Sequence, residues 1–164
     1  CLVGSEMCIR DRYTVMIDLD TILSEWKEDS QIPKNQLDEA SRKTPELHHK
    51  YLSYLSAMKL RLKRSEFEQK NLLKDKWLYY EGKMSQEDIE SRGWKPDPYD
   101  GLVITTKGQK ENWYDTDKEI QDSELKIQYL TTCIDTLTEI VNNITWRHQT
   151  ISNMIKWRQF ETGI

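Results

Sequence analysis

The chain has 164 residues and a formal net charge of −4, from 24 Lys and Arg against 28 Asp and Glu. Its length fits one modest domain, and 32% charged residues, 37% hydrophobic residues and a mean hydropathy of −0.82 exclude a large self-contained apolar core. No apolar run reaches the roughly 18 residues of a transmembrane helix, and six Trp and eight Tyr argue against plain disorder, so the composition indicates an elongated helical protein that assembles.

The first residues are expected to be foreign to the native protein. Residues 1–12 read CLVGSEMCIRDR, which looks like a translated sequencing adapter. A signal peptide is the competing interpretation, but charged residues interrupt the segment and no basic region precedes an apolar one. We therefore expect a native start near Met16. Cys133 is then the one cysteine, a small buried hydrophobe in a reducing or redox-indifferent compartment.

Apolar residues at helical spacing predict a first helix over residues 19–28, with Asp18 or Asp20 as its cap. The sequence DSQIPKN then breaks this pattern. A short helix over residues 36–42 is expected to follow.

A much longer helix is predicted to end at Tyr80. Thr44 suits its N-cap, Pro45 its first helical position and Glu46 its first turn. No further Gly or Pro occurs before Gly82, a natural C-terminal stop. Such a helix would be about 54 Å long at 1.5 Å per residue. We therefore expect it to pack against an equally long element in an antiparallel helical hairpin.

Residues 83–116 form a predicted irregular insert at the tip of this hairpin. Turn signals recur through it, at Gly93, Pro96, Pro98, Gly101 and Gly108. The largely β-branched run over residues 102–106 predicts a short strand, so the insert is expected to be partly ordered, with or without one small β-ribbon. A loop of this length inside a compact domain is usually functional.

The C-terminal region, residues 117–164, carries the clearest periodic signal. Apolar residues recur at alternating spacings of three and four residues, which is typical of a coiled-coil seam. The seam residues expected to mediate oligomerisation are Ile127, Leu130, Ile134, Leu137, Val141, Ile144, His148, Ile151 and Ile155. Isoleucine at both kinds of seam position disfavours a dimer. Packing on the long helix of the same chain is the other use of this face, and we expect both. We interpret His148 as a hydrogen-bonded register residue.

A basic segment contrasts with the acidic whole. Residues 59–76 contain seven bases and three acids, a local charge of +4. The bases are Lys59, Arg61, Lys63, Arg64, Lys70, Lys74 and Lys76, and the aromatic residues Trp77, Tyr79 and Tyr80 follow. Cationic side chains can follow the phosphates while aromatic rings stack on unpaired bases. This pattern is typical of proteins that bind single-stranded nucleic acid without sequence preference. The structural alternative is a basic helix whose terminal rings are buried in the hairpin.

Enzyme signatures are missing from the sequence. No Walker A loop, dinucleotide-binding glycine motif or H-E-x-x-H motif occurs. Asp97, Asp100, Asp115 and Asp117 leave a metal-dependent nuclease as a minor alternative, although aspartates in a loop usually make local hydrogen bonds. We expect a protein that is not an enzyme and that needs no cofactor or metal.

Two segments resemble the UvsY family of recombination mediators of T-even-type phages. LLKDKWLYYEG, residues 72–82, is similar to a family pattern in which Lys-x-Arg/Lys precedes Tyr-Tyr-x-Gly, and the terminal RHQTISNMIKWRQFETG contains the family's Arg-x-Phe-Glu-x-Gly. The matching residues are Lys74, Lys76, Tyr79, Tyr80 and Gly82, then Arg158, Phe160, Glu161 and Gly163. With the opening MIDLDTILSEWKED, the resemblance covers residues 16–163.

The resemblance implies a helical, non-enzymatic protein whose C-terminal helices assemble six or seven subunits into a ring. It implies that single-stranded DNA contacts Lys74 and Lys76. It also implies two protein partners, the phage RecA-like recombinase and the phage single-strand-binding protein that the recombinase replaces. A phage-encoded protein of this kind is expected in the cytoplasm of the infected bacterial host, not secreted and with no membrane partner. Lys76 stands where arginine is expected in the better-known members of the family, and lysine there keeps the charge but loses bidentate phosphate contact.

Together these observations divide the chain into three regions. Residues 16–82 form a helical region that binds single-stranded DNA, residues 83–116 the insert, and residues 117–164 a coiled-coil oligomerisation helix. The alternative function is a non-enzymatic coiled-coil scaffold, in which the basic segment only meets acidic residues near the N-terminus. Those acids are Asp18, Asp20, Glu25, Glu28 and Asp29.

Overall fold

The computed structural model of the chain describes residues 18–104 and 106–163. In these residues it contains five helices: α1 (Leu19–Asp29), α2 (Leu37–Tyr80), α3 (Gln86–Ser91), α4 (Lys107–Asp115) and α5 (Lys118–Thr162). The prediction of a mainly α protein is confirmed. Among the described residues, one compact unit consists of those up to Met58 and from Thr132 onward, and the other of those within Lys59–Thr131. The adapter-like residues 1–12 lie outside the described residues.

Helix α1 is fastened at both ends. The Asp18 carboxylate accepts a hydrogen bond of 2.8 Å from the backbone N–H of Thr21, which satisfies an open donor of the first turn. At the other end, the buried guanidinium of Arg147 donates to the backbone carbonyls of residues 29, 30 and 31 at 3.0, 3.2 and 3.0 Å. A cation at this position also suits the negative end of the helix dipole.

Acidic residues of α1 have partners within their own unit. Lys50 Nζ lies 2.8 Å from Glu25 Oε2 and 2.7 Å from Asp29 Oδ2, and the buried Tyr51 hydroxyl donates to Asp29 at 3.0 Å. These contacts attach α1 to α2. Glu25 and Asp29 therefore pair with a lysine outside the basic segment, in contrast to the scaffold alternative.

The start of α2 corrects the sequence prediction. The helix begins at Leu37, so the predicted short and long helices are one, and Pro45 lies inside it instead of beginning it. Pro45 has no N–H to donate to the preceding turn, and the Thr44 hydroxyl donates to the carbonyl of Ala40 at 3.1 Å instead of capping the helix. Leu37 and Ala40 pack on Ile151 in a buried cluster. Burial of these apolar side chains favours the extra turns and offsets the missing backbone hydrogen bond.

One face of α5 is buried inside the chain. Its members are Leu130, Cys133, Leu137, Ile140, Ile144, Arg147 and Ile151, none more than 8% exposed. Leu130, Leu137, Ile144 and Ile151 are one row of the predicted seam. The other row lies at the edge of the buried face, with Ile127, Ile134 and Val141 half-buried and His148 and Ile155 exposed. Packing inside the chain thus uses one of the two rows of the seam. The role of the seam in oligomerisation stays a prediction.

His148 makes a local contact. Its ring nitrogen Nδ1 lies 2.8 Å from the carbonyl oxygen of Thr145, one turn earlier in α5.

Over the described residues, no helix combines the length and apolarity that a membrane crossing requires.

The insert is more helical than the sequence predicts. Ser85 caps α3, and a capping box between Thr106 and Gln109 starts α4. Residues 102–104 and 106 form no strand, and Leu102 and Val103 are 60% and 86% exposed. The β-ribbon prediction is therefore wrong for the described residues. β-Branched residues favour a strand where a neighbouring strand packs beside them, and the described part of the chain supplies none.

Candidate nucleic-acid interface

A row of lysines and aromatic rings lies on one exposed face of α2. Its members are Lys63, Phe67, Lys70, Lys74 and Trp77, and all five are exposed. Their spacing of four and three residues keeps them on one side of the helix. Phe67 is 55% and Trp77 50% exposed. This cationic–aromatic stripe extends for about 21 Å at 1.5 Å per residue.

Ammonium groups flank both rings of the stripe. The Nζ atoms of Lys63 and Lys70 lie 5.4 and 5.9 Å from the centroid of the Phe67 ring, and Nζ of Lys83 lies 4.7 Å from that of Trp77. These cation–π contacts place a flexible ammonium group over each ring. Sequence reasoning missed Phe67 and Lys83. The signal for Phe67 was its position four residues after one lysine and three before another.

Within the stripe, the lysines have only weak acidic partners. Lys63 Nζ lies 2.8 Å from Glu66 and Lys74 Nζ 3.8 Å from Asp75. The two lysine side chains are 59% and 68% exposed. Ion pairs of an exposed lysine contribute about 0–1 kcal/mol, so a phosphate can replace the carboxylate. For Lys70, the described part of the chain contains no ion-pair partner.

The other predicted cations of this segment differ in exposure and pairing. Lys59 is exposed and Arg61 half-buried. Arg64 Nε lies 3.2 Å from Glu68, which Lys126 of α5 also approaches at 3.0 Å. The hydrogen bond from Lys126 lowers the pKa of Glu68, so this acid stays charged and offsets part of the local positive charge.

Lys76 is turned away from the exposed face. Its side chain is 4% exposed, and its ammonium lies 2.9 Å from Asp117 Oδ2 and 3.2 Å from Glu119 Oε1. The same ammonium lies 4.0 Å from the centroid of the Trp94 ring. Because these groups compensate its charge in the interior, the prediction that Lys76 contacts DNA directly conflicts with the structure.

Tyr79 and Tyr80 are also buried, at 7% and 8% exposure. They form a cluster with Ile89, against which pack Met84, Trp94, Tyr99, Trp113 and Tyr114 of the insert region. The Tyr79 hydroxyl donates to the carbonyl of Lys95 at 3.0 Å. The prediction that both tyrosines stack on bases is therefore wrong for this conformation, and the structural alternative holds for them. Trp77 alone of the three predicted rings stays exposed.

Asp117 connects α2 to the start of α5. Its Oδ2 accepts hydrogen bonds from Lys76 and from the Tyr80 hydroxyl at 2.9 Å, and its Oδ1 accepts from the backbone N–H groups of Glu119 and Ile120 at 2.9 and 3.3 Å. Burial opposes ionisation of this carboxyl, but the hydrogen bonds from Lys76 and Tyr80 outweigh it and lower the pKa of Asp117.

The loop aspartates have local structural partners. Asp97 accepts from the backbone N–H groups of Tyr99 and Gly101 at 2.9 and 2.6 Å, and Asp100 lies 2.6 Å from Lys95 Nζ. Within the described ranges, no group of three or more His, Cys, Asp or Glu is placed to hold a metal ion. These contacts agree with the local hydrogen bonding that the sequence favoured.

The C-terminal motif lies at the end of α5. Arg158 donates to the carbonyl of Lys34 at 2.7 Å, which ties the helix end to the turn before α2. Glu161 accepts from the Trp157 indole at 3.0 Å. Phe160 is 78% exposed and stacks on Trp157 with a centroid distance of 5.8 Å.

Comparisons with known proteins agree with these motifs. A sequence profile described as "Recombination, repair and ssDNA binding protein UvsY" matches residues 25–164. A crystal structure of the bacteriophage T4 recombination mediator protein UvsY, lattice type II, is similar to this chain with a TM-score of 0.72 and 23% identity, covering 89% of this chain and 98% of that one. The crystal structure of the same T4 protein in lattice type IV is similar with a TM-score of 0.71 and 21% identity, covering 88% of this chain and 99% of that one.

A search of curated protein sequences finds no match. The structural likeness, at identities of 21% and 23%, shows the fold alone. The profile, however, spans most of the chain, including both motifs that carry the resemblance. The chain therefore belongs to the UvsY family of recombination, repair and single-stranded-DNA-binding proteins.

Proposed function

We propose that the chain is a recombination mediator that binds single-stranded DNA along the cationic–aromatic stripe. It helps a RecA-like phage recombinase onto DNA coated by single-strand-binding protein, in the cytoplasm of the infected host and without catalysis or cofactor. The observation that carries this proposal is the one-sided exposure of Lys63, Phe67, Lys70, Lys74 and Trp77 in a member of the UvsY family.

The stripe offers two kinds of contact. Its three lysines attract phosphates, which gives affinity without reading sequence. Its two rings can take unpaired bases, each worth about 1–3 kcal/mol. Bases in a duplex are already stacked on each other, so the rings favour single strands. None of the five side chains is an arginine, asparagine or glutamine, whose planar groups read a base edge through two hydrogen bonds.

One subunit with three exposed lysines binds DNA weakly, so the function requires several copies. The seam row at the edge of the buried α5 face, with Ile127, Ile134, Val141 and Ile155, is the proposed contact between subunits. A ring of six or seven subunits brings as many stripes to one strand and raises the overall affinity through effective concentration. A mass in solution equal to one subunit at working concentration would contradict this assembly.

Fluorescence anisotropy with a labelled oligonucleotide over a range of salt tests the site. Each lost phosphate contact changes the slope of log affinity against log salt by about 0.7 for single strands. The triple variant K63A/K70A/K74A should therefore flatten the slope by about 2 per subunit. A matched control, K27A/K43A/K118A, removes three other exposed lysines and the same charge. Equal loss in both variants would mean that net charge, and not the stripe, binds DNA.

Assembly of the recombinase on coated DNA tests the mediator step. In the presence of single-strand-binding protein, the chain should shorten the lag before recombinase filaments form, and K63A/K70A/K74A should not. An unchanged lag with the unaltered chain would refute mediation and leave DNA binding standing.

A further inference from the structure

We infer that Lys76 is a positioning residue that anchors the insert beside the stripe and does not touch DNA. The inference rests on the proposed DNA-binding role of the stripe. It separates the two lysines of the Lys-x-Lys pair, because Lys74 then contacts phosphate while Lys76 holds the surface in place.

The first argument is the direction of the two side chains. Two residues along a helix correspond to a rotation of about 200°, so residues two apart point to nearly opposite sides. Lys74 is accordingly exposed, with 68% of its side chain accessible, while Lys76 is 4% exposed. A single strand that follows the stripe along one side of α2 cannot meet both ammonium groups.

The second argument is the set of groups that hold Lys76. An ammonium has three donors, and two of them face carboxylate oxygens of Asp117 and Glu119 at 2.9 and 3.2 Å. The Trp94 ring lies against the same ammonium at 4.0 Å. If Lys76 left to reach a phosphate, the carboxylate of Asp117, only 8% exposed, would stay behind without its cation.

The third argument is what these contacts fix. Glu119 Oε1 lies 3.2 Å from the Lys76 ammonium and accepts a hydrogen bond from the Trp94 indole N–H at 2.8 Å. Trp94 thereby holds the far end of the segment that leaves α2, and this segment carries Lys83 over the Trp77 ring at 4.7 Å. Lys76 thus acts on DNA binding through the Trp77–Lys83 pair at the end of the stripe.

Salt titrations of DNA binding distinguish positioning from contact. Lys76→Met should weaken binding several-fold and leave the salt slope unchanged, because no phosphate contact is lost. Lys74→Met should flatten the slope by about 0.7. A flattened slope in Lys76→Met would overturn the inference.

Asp117→Asn is a second test, for which positioning and direct contact predict opposite changes in affinity. The substitution leaves the start of α5 intact, because asparagine caps a helix about as well as aspartate. With the anchor already weakened, adding Lys76→Met to Asp117→Asn should cost less than twofold in affinity. If Lys76 contacted phosphate, Asp117→Asn would free it and tighten binding. Tighter binding in Asp117→Asn would therefore contradict the inference.

Hydrogen exchange without DNA tests the anchor alone. Amides of residues 82–95 should exchange faster in Lys76→Met, and at the normal rate in Lys74→Met and in the charge-preserving Lys76→Arg. If Lys76→Met fails to fold, Asp117→Asn gives the same test, since it removes one of the two carboxylates. Unchanged exchange in both would refute anchoring. An unaltered chain that fails to bind single strands would instead refute the proposed function.

Discussion

Phe67 is the residue for which ring stacking and simple charge attraction predict different results. Phe67→Ala removes the ring of a residue that is 55% exposed. Within the described part of the chain, only the two mobile ammonium groups of Lys63 and Lys70 lie over that ring, at 5.4 and 5.9 Å from its centroid, so a base can reach it. Stacking contributes about 1–3 kcal/mol per base, and a half-covered phenyl ring belongs near the lower end, at about 1–1.5 kcal/mol. Affinity for single strands should then fall about 5- to 13-fold.

The salt dependence supplies the test. Because Phe67→Ala removes no charge, the slope of log affinity against log salt should stay that of the unaltered chain. Anisotropy with single-stranded and duplex oligonucleotides of equal length should show the loss for single strands only. Leu23→Ala, which shortens a 47% exposed apolar side chain in α1, is the control and should bind normally. An equal loss for both kinds of DNA would refute stacking on this ring.

Three further substitutions concern stability. Arg147→Met removes the hydrogen bonds to the carbonyls of residues 29–31 at the end of α1. It should lower the free energy of unfolding in urea by about 3 kcal/mol, and an unchanged midpoint would contradict that role. The pKa of Asp117 is lowered from its ordinary 3.8, so its contribution to stability is complete above that value and is lost as the pH falls through the lower pKa of the folded state. Asp117→Asn should therefore make unfolding less sensitive to acid below about pH 4, and equal acid sensitivity would count against the pairing with Lys76. Gly82→Ala places a side chain at φ +66°, with no atom of the described residues within 4 Å of the new Cβ. Backbone strain of about 1–2 kcal/mol should therefore lower the melting temperature, and an unchanged melting temperature would mean that the turn adapts.

Local signals predicted the helices, because caps and periodicity act within a few residues. Asp18 caps α1 as expected, and Gly82 follows α2 at a positive φ. The start of α2 was mispredicted because the turns before Pro45 are stabilised by Ile151, which lies far along the sequence. The strand in the insert failed for a related reason, since a strand needs a neighbour that its own residues do not reveal.

The candidate site was predicted in composition but not in orientation. A count of charges cannot tell which side of a helix the rest of the chain covers. Lys76 was placed among the DNA contacts because the acids that neutralise it, Asp117 and Glu119, lie beyond the insert. Phe67 was overlooked because a lone ring between Lys63 and Lys70 has an ordinary apolar role in most helices.

An exposed loop of the insert provides a place for a fluorescent probe. Val103 is 86% exposed and precedes the capping box of α4, so a cysteine there would accept a maleimide dye without displacing a packed side chain. A variant that begins at Met16 would lack Cys1 and Cys8. Its one other cysteine, Cys133, is fully buried and thus shielded from the same reagent. Labelling at one position would let changes around the insert be followed in real time as an oligonucleotide is added.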